Sequence, residues 1–152
     1  MRVFITGGTG FAGSHLVDQL LDEGHELYAM VHSASSHQLL PDHPRLHEVE
    51  GDLLLEASLR QAMEAAKPDV VYHLAGQASP AVSWQDPALT MAINSGGTAN
   101  VLQAAVAYGR PRVVVVTSAE IYGPITADML PLTEETVAQP RHPYGISKQA
   151  AG

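Results

Sequence analysis

The stretch Thr6-Gly7-Gly8-Thr9-Gly10-Phe11-Ala12-Gly13 limits the folds open to this chain more than any other feature. It follows Arg2-Val3-Phe4-Ile5-Thr6, a short apolar run suited to a strand, and precedes a segment in which Leu16, Val17, Leu20 and Leu21 share one helical face. A strand, a glycine turn and a helix in that order are the context in which such glycines bind a dinucleotide. The spacing reads as G-x-G-x-x-G from Gly8, Gly10 and Gly13, and as G-x-x-G-x-x-G from Gly7. Glycine there permits a tight turn, approach of a pyrophosphate to bare backbone, and close helix–sheet packing. The helix N-terminus adds unpaired N–H groups and a dipole that favours phosphate. A merely flexible glycine loop would have no need of that context.

The remaining sequence repeats the alternation of strand and helix. The periodicity predicts a strand at Arg2–Thr6, a helix over 13–23 stopped by Gly24, and a strand over 26–32. A polar loop over 33–45, with Pro41 and Pro44, leads to a strand at Leu46–Glu50 closed by Gly51-Asp52. A helix is expected at Glu56–Ala66, with Leu59 and Met63 four apart, ended by Pro68. Then come a strand over 69–74 with the look of burial on both faces, and a loop holding Pro80 and Pro87. A long helix over 88–108 ends at Gly109 and Pro111, and a strand follows over 112–117. The loop over 118–143 is too long for a plain connector and so is suspected of function. A further helix starts at Tyr144. The pattern predicts an α/β fold, a Rossmann-type doubly wound parallel sheet with five strands present.

Composition narrows the function. With 16 acidic against 8 basic residues the net charge is −8, which argues against nucleic acid and an anionic membrane as partners. Zero cysteines remove disulfide scaffolds, thiolate zinc sites and cysteine nucleophiles. The longest β-branched run, over 113–116, is far short of the roughly 20 residues of a membrane span, and no secretory leader is read at the N-terminus. A cytoplasmic protein is the expectation. His37, His43 and His47 lie in or near the proline-containing loop without the carboxylates that would complete a metal site.

Three further signals carry chemistry. The segment 30–36 holds neither Asp nor Glu, so the carboxylate that would bind the ribose 2′-OH of NAD and repel a 2′-phosphate is missing. His32, Ser33 and Ser35 can donate hydrogen bonds to that phosphate, which leans the expected cofactor to NADP over NAD. Tyr144-Gly145-Ile146-Ser147-Lys148 places a tyrosine and a lysine on one helical face. A nearby ammonium favours the phenolate, which suits Tyr144 as proton donor or acceptor at a carbonyl or alcohol. Ser118 and Glu120 follow the fifth strand, on the edge where ligands of parallel sheets bind. Ser118 can hydrogen-bond a reacting oxygen, and Glu120, in an apolar local setting, can take a proton from carbon.

Together these residues, with Gly51-Asp52, His73-Leu74-Ala75-Gly76, Asn94, Gly97-Thr98 and Asn100-Val101-Leu102, resemble the extended short-chain dehydrogenase/reductase family of nucleotide-sugar epimerases, dehydratases and reductases. The resemblance implies that Ser118, Tyr144 and Lys148 form the catalytic trio, with Tyr144 and Lys148 also touching the cofactor and Lys148 holding its nicotinamide ribose. It implies that Asp52 and Leu53 approach the adenine, and that Leu74, Ala75 and Gly76 line the cofactor beside Gly7, Gly10, Phe11, Ala12 and Gly13. Ser79, Ser83 and Trp84 look most like substrate-binding residues of the GDP-mannose 4,6-dehydratase and GDP-6-deoxy-4-keto-mannose reductase branch. In the dehydratases a Glu at the place of Glu120 removes the sugar C5 proton. The 4-epimerases usually lack that acid, while the reductases can carry one.

The expected function is therefore that of an NAD(P)-dependent 4,6-dehydratase or 4-keto-reductase for a GDP-sugar. A UDP-sugar 4-epimerase is the alternative, and a non-catalytic dinucleotide-binding module is the alternative of another class. Members of this family continue well past the Tyr/Lys helix and often pair through the helix near 94–108. Residues 1–152 are thus expected to be an incomplete NAD(P)-binding Rossmann domain of a homodimeric enzyme, lacking the C-terminal substrate domain and with little turnover alone.

Overall fold

The computed structural model of the chain describes residues 1–32 and 40–152. Five strands, β1 (Arg2–Thr6), β2 (Glu26–Val31), β3 (Leu46–Glu50), β4 (Val70–His73) and β5 (Arg112–Val115), form one sheet in the order β3-β2-β1-β4-β5. Every pairing is parallel, with Thr6 opposite both Met30 and His73. Parallel neighbours need long crossovers, and helices supply them. Helix α1 (Phe11–Asp22) joins β1 to β2, and α2 (Glu56–Ala66) joins β3 to β4. Between β4 and β5 run α3 (Pro80–Gln85), α4 (Pro87–Met91) and α5 (Gly97–Tyr108). Helix α6 (Pro143–Gln149) follows β5 and two short 3-10 turns at Ala119–Tyr122 and Ala127–Met129.

Successive strand residues point to opposite faces, and this divides the core in two. Val3, Ile5 and Leu27 pack against Val17, Leu20 and Leu21 of α1. Phe4, Met30 and Val71 face the other way, onto Leu59 and Met63 of α2 and Val101 and Ala104 of α5. Helices thus cover both faces, as the doubly wound expectation requires. At the β3 side, His47 bonds Glu26 and stacks on Tyr28 at 4.8 Å, with the Arg2 guanidinium 4.6 Å from the Tyr28 ring. Among the described residues no helix is long and apolar enough to cross a membrane.

Several boundaries differ from the sequence expectation. Helix α1 starts at Phe11 rather than 13, because Gly10 takes an extended conformation (φ −80, ψ 171) and serves as the N-cap. Strand β4 is not sheathed on both faces, since Tyr72 is only half-buried, and no residue of β5 is fully buried. The proline loop contains α3, which Ser79 caps by accepting from the Val82 N–H at 3.3 Å, with Pro80 in the first turn. The helix expected over 88–108 is interrupted by a π turn at Ala92–Gly96. There Asn94 is buried, and its side chain reaches across to Gln77 and Ser147, which an uninterrupted surface helix would not require.

Of the two glycine spacings, the structure uses Gly7, Gly10 and Gly13 in its turn. Gly7 has φ +78, and a Cβ there would lie 2.6 Å from the Ala75 nitrogen. A Cβ on Gly13 would lie 2.0 Å from the Gly7 carbonyl oxygen, so the first turn of α1 and the loop pack backbone against backbone. A Cβ on Gly8 would make only ordinary contacts, 3.4–3.6 Å from Val17, Ala29 and Ile5. Gly13→Ala is therefore expected to destabilise the fold by about 2 kcal/mol or more, and Gly8→Ala by less than about 1 kcal/mol. Urea unfolding midpoints of the two variants check this, and equal losses would contradict it.

Candidate active site

The chain leaves β1 towards β2 on one side and β4 towards β5 on the other, so the sheet has its switch point between β1 and β4. Beyond the carboxyl ends of strands at such a point lies the usual ligand crevice. Here it is a cleft of about 870 Å³. Gly7, Gly10, Phe11, Ala12 and Gly13 line it, as do His32, Asp52 and Leu53, and Leu74, Ala75 and Gly76. These are the cofactor residues expected from the sequence that fall in the described chain, apart from Tyr144 and Lys148; Ser33 lies outside the described residues. Thr9, within the glycine stretch, also lines the cleft, as do Met30, Leu54, Gln77, Ala78, Leu89 and Ile93, which were not assigned to the cofactor from the sequence.

The cleft fits a dinucleotide. No side chain caps the N-terminus of α1, and its first turn carries no acidic residue to repel a phosphate. The bare backbone at Gly7 and Gly13 leaves room for a pyrophosphate beside those N–H groups, where the helix dipole favours anionic charge. Asp52 accepts from the Leu54 N–H at 2.8 Å through Oδ1, and its Oδ2 lies 3.5 Å from Nε2 of the largely exposed His32.

Beneath the cleft a buried chain of hydrogen bonds has one consistent direction. The Thr98 hydroxyl donates to the Asn94 carbonyl at 2.6 Å, so its oxygen accepts from His73 Nε2–H at 3.0 Å. His73 Nδ1 then carries no proton and accepts from the Thr6 hydroxyl at 2.6 Å, while Thr6 Oγ1 accepts from the Ala75 N–H at 3.2 Å. Neutral imidazole satisfies every member. Burial, and then the positive charge of Lys148, lower the His73 pKa to about 4.

The second group of residues meets across β5 and α6. Ser118 caps the turn at Ala119–Tyr122, its Oγ accepting from the Glu120 N–H at 3.2 Å. Lys148, 8 % exposed, donates from Nζ to the Val116 carbonyl at 3.0 Å, and burial lowers its pKa. A Cβ on Gly76 would lie 3.7 Å from that Nζ and 2.7 Å from Asn94 Oδ1, which sets the Lys148 head beside a cleft residue. Tyr144 is buried, and its carbonyl accepts from Ser147 Oγ at 2.7 Å, which in turn accepts from Asn94 Nδ2 at 2.8 Å.

Glu120 departs from its expected apolar setting. Its side chain is 52 % exposed, and Oε2 lies 2.9 Å from Nε2 of His142. His142 was not singled out in the sequence; the one available signal was a polar residue directly before a proline at the start of a helix. Asn94 was noted only as part of the resemblance, because its role depends on a π turn that periodicity does not show. The three expected substrate residues do not line the cleft. Ser79 caps α3, Ser83 is buried with its hydroxyl on the Pro80 carbonyl at 2.6 Å, and Trp84 is exposed.

The sequence matches the NAD dependent epimerase/dehydratase family over residues 3–152. It is 38% identical over 151 residues to a GDP-mannose 4,6-dehydratase of Sordaria araneosa, covering 95% of this chain and 27% of that protein. It is also 38% identical to a GDP-6-deoxy-D-mannose reductase of Pseudomonas aeruginosa, covering 99% of this chain and 44% of the relative. The fold is similar to the crystal structure of a Thermus thermophilus UDP-glucose 4-epimerase in complex with NAD, with TM-score 0.89 and 34% identity, over 99% of this chain and 48% of that one. The chain thus spans less than half the length of each of these relatives.

The His73 network has a pH signature. With a pKa of 6.5 when unfolded and about 4 when folded, His73 binds a proton first in the unfolded state as the pH falls. Its contribution is complete above about pH 6.5 and is lost as the pH drops towards 4, by about 3 kcal/mol in all. Urea midpoints between pH 7 and 4.5 are expected to fall more steeply for the native chain than for His73→Asn. Parallel curves would show that His73 is not held neutral.

Proposed function

The chain belongs to the NAD dependent epimerase/dehydratase family, and from that premise we propose that the whole protein is a nucleotide-sugar 4,6-dehydratase or 4-keto-reductase acting on a GDP-sugar of the mannose type. One observation carries this reading. A carboxylate, Glu120, stands in the same turn as Ser118 and is tied to the helix that bears Tyr144 and Lys148. The dehydratases use an acid there to take the C5 proton and the reductases can carry one, whereas a simple 4-epimerase has no use for it. The 38% identity to a dehydratase and to a reductase supports the same choice.

A nicotinamide dinucleotide, when bound, accepts and returns hydride at the sugar. Gly7, Gly10 and Gly13 would hold its pyrophosphate, Asp52 and Leu53 its adenosine end, and Lys148 its nicotinamide ribose. Tyr144 takes the proton of the C4 hydroxyl, and Ser118 donates a hydrogen bond to the same oxygen. Burial of Lys148 strengthens its attraction for a phenolate nearby. In the dehydration Glu120 takes the C5 proton once C4 is a carbonyl and returns it to the departing C6 hydroxyl, which leaves as water. The lack of a carboxylate over 30–36 and the presence of His32 and Ser33 support NADP as the preferred form. Leu102 and Val106, exposed on α5, support pairing of two copies through that helix.

The UDP-sugar epimerase remains the second reading because of the fold similarity to such an enzyme. Incubating the whole protein with GDP-mannose and NADP is expected to give a 4-keto product one water lighter if it is the dehydratase, and GDP-4-keto-6-deoxymannose with NADPH a product two hydrogens heavier if it is the reductase. Tyr144→Phe is expected to slow turnover by about 10²–10⁴-fold while dinucleotide binding is retained. Interconversion of UDP-sugars with no keto product would favour the epimerase, and a Tyr144→Phe variant of native activity would exclude the mechanism. NADPH is expected to bind about tenfold more tightly than NADH, the worth of roughly one hydrogen bond to a charged group. Fluorescence titration measures this, and tighter NADH binding would reverse the cofactor assignment.

A further inference from the structure

We propose that His142 is a positioning residue for Glu120, locked in one tautomer by the N-terminus of α6. This rests on the reading of Glu120 as the acid that exchanges a proton with sugar C5. The argument begins at the cap. His142 Nδ1 accepts from the Gly145 N–H at 3.1 Å. A backbone N–H can only donate, so Nδ1 carries no proton and the imidazole proton sits on Nε2. That proton points to Glu120 Oε2, 2.9 Å away. The bond therefore runs from histidine to carboxylate, and it leaves Oε1 to meet the substrate.

The surroundings hold the pair in place. Pro143 occupies the first turn of α6 and restricts the backbone next to His142. The His142 ring lies nearly parallel to that of Tyr144, at 9° and 6.1 Å between centroids. A Cβ on Gly145 would come within 2.8 Å of the Glu120 carbonyl oxygen, so the helix N-terminus packs directly on the turn that carries the acid. Through His142 the acid at C5 and the tyrosine at C4 are set on one rigid element. The engagement of Nδ1 also rules out a relay: His142 has no second site from which to pass a proton onward, so it orients Glu120 and does not shuttle.

The step served is balanced without any redox partner. On a nucleotide-linked 4-keto sugar, Glu120 Oε1 takes the C5 proton and the C–H electron pair moves into the C4 carbonyl to form an enolate. Return of a proton to C5 restores the ketone, and in heavy water that proton is a deuteron. Ser118 and Tyr144 hydrogen-bond the enolate oxygen.

Two measurements test the proposal. Nitrogen-15 NMR of histidine-labelled protein is expected to show His142 neutral with its proton on Nε2, and the signal is expected to move in Glu120→Ala. A proton on Nδ1 would overturn the placement whatever the activity. The whole protein is then given GDP-4-keto-6-deoxymannose in heavy water and C5 deuteration is followed. His142→Asn keeps an oxygen to cap the Gly145 N–H, since Asn is a preferred N-cap, but it is too short to reach Glu120. It is expected to slow C5 exchange by about 100-fold, the scale of loss from misplacing a reacting group, with sugar-nucleotide affinity unchanged. Exchange at the native rate, or an equal fall in exchange and affinity, would overturn the proposal in favour of a plain helix cap. If the native protein exchanges no C5 proton, the reading of Glu120 fails instead, and the tautomer alone decides where His142 stands.

Discussion

The imidazole of His73, held between the hydroxyls of Thr6 and Thr98, is the interaction on which the two halves of the site depend. Thr6 ends β1 and receives the Ala75 N–H, so one arm supports the loop that lines the cleft. Thr98 donates to Asn94, whose amide reaches Gln77 and Ser147, so the other arm supports the helix of Tyr144 and Lys148. A polar chain this deep is stable only because each member has its partner, and it loses that stability if a single proton is misplaced. The cleft and the Tyr/Lys helix are thereby referred to one buried point rather than to flexible loops.

A second constraint is steric. The turn from Gly7 to Gly13 packs so closely on itself that no side chain fits at either end. What results is a cleft wall of backbone N–H groups at the start of a helix with no acidic residue in its first turn. Packing and ligand chemistry are inseparable there, since the contacts that forbid a Cβ are those that bare the amides to a phosphate.

The proposed branch of chemistry rests on residues away from that wall. The dehydratase and reductase relatives are similar in sequence, and the epimerase structure in fold, over 95% or more of this chain. The proposed chemistry rests there on a carboxylate beside Ser118, fastened to the cap of α6. The anchoring is mechanical as much as electrostatic, because Glu120 is half-exposed and a long side chain in that setting would otherwise sample many rotamers.

Local chemistry was legible in the sequence. Arg2–Thr6, Leu46–Glu50 and Glu56–Ala66 lie where periodicity and breakers put them, because β-branched alternation, 3.6-residue spacing, Gly and Pro act within a few residues. The glycine turn and the Tyr/Lys pair were visible for the same reason. Three matters needed the tertiary structure. Gly7, Gly10 and Gly13, not Gly8, form the tight turn, and at Gly7 the contact that forbids a Cβ comes from Ala75, far along the chain. The π turn at Asn94 exists because Gln77 and Ser147 draw its side chain inward. Glu120 finds His142 only when the turn after β5 folds onto α6. Short-range sterics write themselves into local pattern, whereas hydrogen bonds between distant residues leave no periodic trace, and so the sequence determined the fold class and the tertiary structure decided how the acid is held.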